Sequence, residues 1–298
     1  MESREHLSTP GALANQVVSK MTLRQELGFV ALVGDKRFEN VNWKLSDLCI
    51  PRLVLSDGPD GIIGRSGRSV QLPAAIGVAA SFDSALSYDY GRLLGAEARQ
   101  RGIDVVQAPE LNLARVPESG RIFEAYGEDP MLTAAMGVAE IEGIQAEHVM
   151  SEAKHFTAYN QETARFRIDQ EISARALHEI YDFPFEQAVA RGHVSAIMCS
   201  LGSINGVGDC SDRRLYRSLS SWGFGGFVRS DLYALGDPAG AFRAGLDLVK
   251  PATVAELERL VALGQLPRPV LDRAVRAVLS EMFSYGLIAH PLRPRPKA

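Results

Sequence analysis

The sequence contains few cysteines, and their spacing matches no metal site. Three cysteines occur among 298 residues, Cys49, Cys199 and Cys210, and no two of them form a C-x-x-C pair. This pattern excludes a zinc-binding motif and a dense disulfide framework. Free cysteine usually packs as a small apolar side chain, so we expect three buried thiols and no disulfide.

Positive charge and long apolar runs are also scarce. The formal net charge is −4, so a basic surface for nucleic acid or an anionic membrane is not expected. No apolar run approaches the roughly 20 residues of a membrane-spanning helix. The first residues, "MESREHLSTPG", lack the charged and then apolar pattern of a signal peptide. These absences predict a soluble, cytoplasmic protein that binds neither nucleic acid nor a membrane.

The sequence also lacks the glycine-rich fingerprint of dinucleotide-binding folds. The segment "GFGGF" at 223–227 leads into an apolar run, whereas the fingerprint leads out of a strand into a helix. A phosphate-binding loop and a metal-ligand cluster are missing too. We therefore expect no cofactor and no metal.

Short apolar runs are the main feature that is present, and most of them barely alternate with polar residues. This pattern is typical of strands buried on both faces of a parallel sheet. Six such runs occur, at 53–58, 103–114, 149–156, 194–200, 226–231 and 246–251. Segments with helical periodicity lie between or after them, at 87–102, 129–147, 173–192 and 267–287.

The alternation of strands and helices predicts an α/β fold with a parallel sheet. Because the dinucleotide fingerprint is missing, a closed (β/α)8 barrel of the TIM type, regular or slightly irregular, is favoured over a doubly wound sheet. We expect one domain over residues 15–290, with tails at 1–14 and 291–298. Functional side chains of such barrels lie at the carboxyl ends of the strands.

Ionisable residues stand at the ends of several predicted strands. They are Asp57, Glu110, Lys154, His155, Asp231 and Lys250. Since the carboxyl ends of parallel strands meet at one edge of a barrel, we expect these side chains to surround a common pocket.

Seven motifs in order resemble glycoside hydrolase family 3, in the amino-terminal barrel of its β-glucosidases. The motifs are "SDGPDG" (56–61), "LPAAIGVAASFD" (72–83), "GRIFEAYGEDPML" (120–132), "KHFTAYNQET" (154–163), "SARALHEIYDFPFEQAV" (173–189), "MCSLGSING" (198–206) and "GFVRSD" (226–231). The resemblance covers residues 15–290, nearly the whole chain. It implies a retaining β-glycosidase that acts on a small glycoside.

The resemblance also implies roles for single residues. Asp231 takes the position of the carboxylate nucleophile, which must be ionised to attack the anomeric carbon. The hydroxyls of the sugar are then bound by Asp57, Arg121, Lys154 and His155. An arginine that follows the "DGP" motif in the family has a displaced counterpart, Arg65, as a further candidate for substrate binding.

Four residues depart from the family pattern around the expected pocket. Leu232 replaces the tryptophan that follows the nucleophile. Leu201 and Gly202 replace a Tyr-Asn pair, which removes a phenol. Ser119 replaces a tryptophan before the "GR" of the third motif.

The general acid has no counterpart in the matched motifs. In β-glucosidases of the family it is a Glu of a second α/β domain, and in a single-domain branch a His and an Asp follow "KHF". The corresponding loop here, "TAYNQETARFRID", contains no His. Glu162 is our candidate, with Glu118, Asp169 and Asp60 as others, because a retaining mechanism requires a second carboxyl group near the nucleophile.

Two other functions stay open at this point. The barrel is a lyase, dehydratase or cyclase for a natural-product intermediate if apolar walls surround Asp231. It is a sugar-binding protein without turnover if binding does not depend on the Asp231 carboxylate. In all cases the expected ligand is a small molecule, and exposed loops around the pocket predict a homodimer.

Overall fold

A computed structural model of the protein describes residues 9–63 and 69–292. Nine short strands lie in this part of the chain. They are β1 (Asn40–Val41), β2 (Val54–Asp57), β3 (Val105–Gln107), β4 (Met150–Phe156), β5 (Asp169–Gln170), β6 (Ala196–Cys199), β7 (Ser203–Ile204), β8 (Val207–Gly208) and β9 (Phe227–Ser230). Six of them form one sheet in the order β1-β2-β3-β4-β6-β9, parallel except for the β1–β2 pair, and β5, β7 and β8 form a small second sheet.

Single backbone bridges close the main sheet into a ring. Leu248 pairs with Arg229 of β9, the neighbouring Val249 pairs with Ala31, and Val33 pairs with Val41 of β1. Segments 31–33 and 247–249 therefore complete a ring of eight segments. The prediction of an irregular barrel is confirmed, and its irregularity lies in the antiparallel β1 and in these two bridged segments.

The helices lie around this ring and largely follow the predicted periodicity. They are α1 (Pro10–Val18), α2 (Leu23–Val30), α3 (Ala75–Ala79), α4 (Ser84–Arg101), α5 (Pro130–Ala146), α6 (Ala174–Ala176), α7 (Phe183–Ala190), α8 (Arg213–Ser221), α9 (Pro238–Ala244), α10 (Val254–Ala262) and α11 (Arg268–Ser284). As expected, Gly102 ends α4 with a φ of 71°, and the Asp129 side chain caps α5. None of the described helices is long and apolar enough to cross a membrane.

Helices α4 and α5 pack closely because glycine stands at their crossing. A Cβ atom added to Gly91 would lie 2.2 Å from the carbonyl oxygen of Glu140, and one added to Gly143 would lie 2.2 Å from that of Tyr88. Both distances are far below van der Waals contact. The two glycines therefore let the helix backbones touch, which holds α4 and α5 against the same side of the barrel.

The segment 173–192 is not the single helix that its periodicity predicts. Ser173 caps α6, but a π-helical turn, Leu177–Tyr181, follows at once, and α7 begins at Phe183. Pro184 explains the change of register, because it has no N–H for the carbonyl four residues earlier and its ring crowds that carbonyl. The helical spacing of apolar residues continues across this break, so periodicity alone predicts one helix.

The first helix lies partly within the segment predicted as an amino-terminal tail. Helix α1 begins at Pro10, buries Ala14 and Val18, and packs against α11. The predicted boundary at residue 15 therefore falls inside a packed helix.

Two of the three cysteines form a disulfide, so the prediction of three buried thiols was wrong. Cys199 at the end of β6 is bonded to Cys210, which lies in a 3-10 turn, and Cys49 is exposed. The hairpin of β7 and β8 folds the chain back and brings the two Cα atoms to 5.2 Å, within the ordinary range for a disulfide. The spacing of the two cysteines along the sequence does not reveal that they lie this close together.

The barrel interior contains a buried ion pair below its carboxyl-terminal mouth. Arg229 donates from Nε to Glu152 at 2.9 Å and from Nη2 to Gln107 at 2.9 Å, and all three side chains are buried. Successive residues alternate across a strand. The residues next to these three in their strands therefore point away from the barrel interior. The barrel interior below this mouth is thus polar, and the charges of Arg229 and Glu152 are paired there.

Candidate active site

Four of the predicted site residues lie at the carboxyl ends of barrel strands. Asp57 ends β2, Lys154 and His155 lie near the end of β4, and Asp231 directly follows β9. The parallel direction of these strands brings their ends to one mouth of the ring. Arg121 reaches the same place from the loop between β3 and α5.

These five residues line one cavity of about 270 Å³. Thirteen residues line it, and ten of them are polar, so its walls present mainly donors and acceptors. The other polar lining residues are Glu39, Gln107, Glu124, Arg165 and Lys250, and the apolar ones are Met198, Leu201 and Leu232. The volume suits a single sugar ring.

Asp57 and Lys154 form the shortest ion pair between predicted residues. Lys154 Nζ donates to Asp57 Oδ1 at 2.6 Å, with the Lys154 side chain buried and that of Asp57 about one-third exposed at 34%. Burial opposes the charge of Asp57, but the ammonium group of Lys154, with Arg121 and Lys250, lowers the pKa of Asp57. Burial likewise opposes the charge of Lys154, and the Asp57 carboxylate raises the pKa of Lys154. Both groups are therefore charged at neutral pH.

His155 lies between a carboxylate and a guanidinium group. Its Nε2 atom is 3.2 Å from Arg121 Nη1, and its Nδ1 atom is 2.8 Å from Glu110 Oε2, without the alignment of a regular hydrogen bond. A guanidinium group only donates, so Nε2 is the acceptor and Nδ1 carries the proton. Burial, together with the charges of Arg121 and Lys154, lowers the pKa of His155 well below its usual value, so the ring is neutral.

Asp231 is accessible from the cavity. Its Oδ1 atom accepts from the backbone N–H of Leu232 at 2.6 Å, and its Oδ2 atom lies 3.5 Å from His155 Nε2. Since Nε2 is an acceptor, it does not block Oδ2 with a hydrogen bond. The Asp231 side chain is 15% exposed. It is therefore accessible to a ligand in the cavity, while its surroundings hold it in place.

Arg121 has local partners as well as a place in the cavity. Its guanidinium group donates to Glu124 Oε2 at 2.7 Å and lies 3.5 Å from Glu110 Oε2. The two carboxylates hold the guanidinium plane toward His155. The arginine is thus fixed before a ligand arrives, which favours binding because less side-chain motion is lost.

Glu162 does not line the cavity, although its carboxylate contacts two residues that do, Arg121 and Arg165. That carboxylate accepts from Tyr159 at 2.9 Å and from Arg165 at 3.0 Å. The other three acids do not line the cavity either: Glu118 and Asp169 are exposed, and Asp60 lines a neighbouring cavity. Burial and the nearby Glu124 raise the pKa of Asp60 to about 6. Arg65 lies outside the described residues.

Glu39 and Lys250 form a second polar wall of the cavity. Lys250 Nζ donates to Glu39 Oε1 at 2.5 Å, while Glu39 Oε2 accepts from the Asp57 backbone N–H at 2.6 Å and from Gln107 at 2.9 Å. Burial and the charge of Arg229 lower the pKa of Lys250. Lys250 follows a predicted strand, but Glu39 precedes the short β1, and no motif marks it.

The departures from the family pattern alter the walls near Asp231. Leu201 is buried and Leu232 is 39% exposed, and both line the cavity with aliphatic side chains.

Where the described residues are concerned, no group of three or more His, Cys, Asp or Glu side chains is arranged to hold a metal ion.

Comparisons with known proteins identify the family of this barrel. Residues 32–280 match the family described as "Glycosyl hydrolase family 3 N terminal domain". The chain is 32% identical to beta-glucosidase B of Emericella nidulans, over 96% of this chain and 35% of the relative, and 34% identical to a beta-glucosidase of Rhizobium radiobacter, over 90% and 34%. It therefore spans about a third of the length of these relatives.

A solved structure shows the same fold with a sugar bound. Beta-glucosidase 3B from Thermotoga neapolitana, in complex with alpha-D-glucose, superposes with a TM-score of 0.90 at 30% identity, over 96% of this chain and 44% of that one. The family match and the relatives' identities lead to one assignment. The chain belongs to glycosyl hydrolase family 3, and its barrel is the N-terminal domain of that family.

Proposed function

We propose that this barrel carries the sugar-binding site and the nucleophile of a retaining β-glycosidase of the β-glucosidase type. One observation carries the proposal: Asp231 shares a sugar-sized cavity with Asp57, Arg121, Lys154 and His155. The relatives named above are beta-glucosidases, and one structural neighbour holds glucose. Both facts support a small β-glucoside as the substrate.

The polar lining supports a sugar over the alternative ligands. A lyase, dehydratase or cyclase of an apolar intermediate requires apolar walls around Asp231, whereas only three of the thirteen lining residues are apolar. Asp57 accepts from sugar hydroxyls, while Arg121 and Lys154 donate to them. Except for Asp231, the charges of these residues are paired in advance, as in the Asp57–Lys154, Arg121–Glu124 and Lys250–Glu39 pairs, so a neutral sugar does not have to neutralise them.

The first chemical step uses the accessible oxygen of Asp231. Oδ2 attacks the anomeric carbon, the bond to the glycosidic oxygen breaks, and that oxygen takes a proton from a general acid. Water then hydrolyses the glycosyl ester and restores the carboxylate. The neutral His155 places no positive charge beside the nucleophile, so the Asp231 carboxylate is not held in a local ion pair.

Glu162 is the proposed general acid. It lies in the loop after β4, close to Arg121, whose Nε is 3.7 Å from Glu162 Oε1. To reach the glycosidic oxygen it would have to exchange Tyr159 and Arg165 for the substrate. A substrate with an acidic leaving group needs no such proton, so aryl glucosides are the first substrates to test.

Covalent trapping tests the proposed function. A 2-deoxy-2-fluoro-β-glucoside with a dinitrophenyl leaving group slows the second step, so intact-protein mass spectrometry should show one added fluoroglucosyl group, mapped to Asp231 by peptide analysis. Binding of glucose with no adduct and no hydrolysis of aryl glucosides would show a sugar-binding protein without turnover. No binding of glucose at all would overturn the proposal.

We also propose a homodimer and a cytoplasmic location. The dimer is supported by large apolar side chains exposed beside the site, among them Ile63 (63%), Phe123 (44%) and Phe166 (51%). Light scattering coupled to size exclusion tests it, and a monomeric mass contradicts it. The Cys199–Cys210 disulfide is the observation that counts against the proposed location, because disulfides are rare in the cytosol. Thiol trapping in intact cells would show whether the pair is oxidised there.

A further inference from the structure

Glu110 is a buried acid beside the candidate active site, and the proposed mechanism gives it no role. The residue is 4% exposed, and it does not line the cavity of about 270 Å³ that contains Asp231. It lines a separate space of about 20 Å³, which has room for one water molecule but not for a sugar. Glu110 therefore acts on a substrate only through the residues that it contacts.

The side chain of Glu110 contacts two residues that line the larger cavity. Its Oε2 atom lies 2.8 Å from His155 Nδ1 and 3.5 Å from Arg121 Nη2. Among the described residues, His155 Nδ1 has no other hydrogen-bond partner. Since a buried polar group without a partner is costly, Nδ1 depends on Glu110. Nε2 accepts from Arg121, so Nδ1 carries the proton and Glu110 is its acceptor.

The chain around Glu110 also fixes the backbone of His155. Glu110 pairs with Lys154 in a parallel bridge. The Asn112 side chain donates to the carbonyl of His155 at 2.8 Å and accepts from its backbone N–H at 2.9 Å. This segment therefore holds the backbone of His155 through Asn112 and contacts its ring through Glu110.

Burial and charged neighbours act on Glu110 in opposite directions. Burial raises the pKa of Glu110, while the charges of Arg121 and Lys154 oppose that rise. A carboxyl group keeps an acceptor oxygen whether or not it is ionised, so Glu110 accepts from Nδ1 in either state.

We propose that Glu110 is a positioning residue for the nucleophile. It holds the imidazole of His155 in the tautomer with the proton on Nδ1, so that Nε2 carries no proton beside Asp231. In the other tautomer, an N–H at Nε2 would face Asp231 Oδ2 at 3.5 Å and the Arg121 guanidinium group at 3.2 Å. It would bind the attacking oxygen and set two donors against each other. The effect on turnover rests on the proposed function, whereas the tautomer does not.

Nitrogen NMR of the full chain with isotope-labelled histidine tests the tautomer at neutral pH. Protonated and unprotonated ring nitrogens have different shifts, and the spectrum of His155→Gln identifies the His155 signals among those of six histidines. We expect a protonated Nδ1 and an unprotonated Nε2 in the wild type. Glu110→Leu removes the acceptor, so both nitrogens should shift toward averaged values. Glu110→Gln keeps an acceptor oxygen and should keep the wild-type pattern.

Turnover of a dinitrophenyl β-glucoside connects the tautomer with the reaction. Glu110→Leu should lower kcat/KM about thirtyfold, the effect of one lost hydrogen bond to a charged group. Glucose affinity, measured by calorimetry, should change less than about threefold, because Glu110 does not contact the sugar. Glu110→Gln should keep kcat/KM within about threefold of the wild type.

Glu26→Leu is the matched control. Glu26 is a fully buried carboxylate of α2 that accepts from Arg268 at 2.6 Å, and it does not line the cavity. Its removal should destabilise the fold but leave the His155 shifts and kcat/KM unchanged.

The wild-type spectrum alone decides the assignment if Glu110→Leu does not fold, because a proton on Nε2 would overturn the inference. Wild-type shifts in Glu110→Leu, or a Glu110→Gln variant as impaired as Glu110→Leu, would overturn it as well. Averaged shifts in Glu110→Leu, in a protein whose wild type forms no covalent adduct and hydrolyses no aryl glucoside, would support the role of Glu110 and overturn the proposed function.

Discussion

The Nε2 atom of His155 lies 3.5 Å from the Oδ2 atom of Asp231, and it faces that carboxylate as an acceptor. The two residues stand at the ends of β4 and β9, which both pair with β6, so the sheet places them side by side. Nε2 accepts a hydrogen bond from Arg121, so it does not donate one to Asp231. The Oδ2 atom of Asp231 therefore stays free. The chemistry proposed for Asp231 depends on that free oxygen.

Asp231→Ala should reduce hydrolysis of an aryl β-glucoside by about a thousandfold or more, since no other carboxylate replaces the nucleophile. Sodium azide should restore part of the turnover of this variant and yield α-glucosyl azide, because azide enters on the face that Asp231 occupied. Product analysis by NMR checks the anomer. An Asp231→Ala variant with unchanged turnover would contradict the assignment, and β-glucosyl azide would place the nucleophile elsewhere.

The stability of the fold should depend on pH through His155. Its pKa is lowered in the folded state, so below a pH of about 6.5 the unfolded chain binds a proton that the folded protein does not. Stability therefore falls as the solution is acidified. Between about pH 7.5 and pH 5.5 the wild type should lose about 1.4 kcal/mol more than His155→Gln in urea unfolding.

His290→Gln is the control for this measurement. His290 is exposed, so its variant should follow the wild type at both pH values. If the wild type and His155→Gln lose stability equally, His155 takes up its proton in the folded protein, and the neutral ring proposed beside Asp231 is wrong.

Part of the site was predictable from sequence, because functional side chains of a parallel barrel lie at the carboxyl ends of its strands. Asp57, Lys154, His155 and Asp231 each follow or end a buried strand, and the parallel order of the strands brings them together. The apolar runs predict the strands, and the residue at the carboxyl end of each strand is then expected at the same mouth of the barrel. This prediction does not require knowing which strands pair with each other.

Glu39 and the disulfide could not be predicted in this way. Glu39 reaches the site because Val33 pairs with Val41 and closes the ring, and this closure depends on contacts between the first and last segments of the barrel. Cys199 meets Cys210 because a hairpin of two-residue strands folds back between them. Such short strands leave no periodic pattern. Loop residues such as Glu162 present the same difficulty, since local partners decide where the side chain points.

Glu39→Gln should weaken glucose binding about tenfold and leave the fold intact. Glu39 positions Lys250 and the backbone of Asp57 through hydrogen bonds that involve a charged group, and one such bond contributes about 1.5–3 kcal/mol. Calorimetry with glucose measures the change. Glu258→Gln removes an exposed ion pair with Arg24 and should have no effect. Equal glucose affinity of wild type and Glu39→Gln would exclude a positioning role.

Asp57 and Lys154 should be coupled in stability as well as in binding. Asp57→Asn leaves the buried Lys154 charge without its carboxylate and should cost about 2 kcal/mol, less than for a fully buried pair because Asp57 is one-third exposed. Lys154→Met should destabilise by a similar amount, and the double variant by less than the sum. Urea unfolding of the four proteins at neutral pH gives the coupling. Strictly additive losses would show that the pair contributes nothing as a pair.

The Cys199–Cys210 disulfide should stabilise the fold by about 3 kcal/mol, because it closes a short loop in the unfolded chain. Dithiothreitol should therefore lower the urea midpoint of the wild type, whereas the Cys199→Ser/Cys210→Ser variant should show the same lowered midpoint with and without the reductant. The exposed Cys49 is present in both proteins, so its reactions cancel in the comparison. A wild-type midpoint that does not respond to complete reduction, verified by thiol titration in denaturant, would show that β6 and its turn are held by packing alone. The loop around Leu201 would then keep its place beside Asp231 in a reducing compartment.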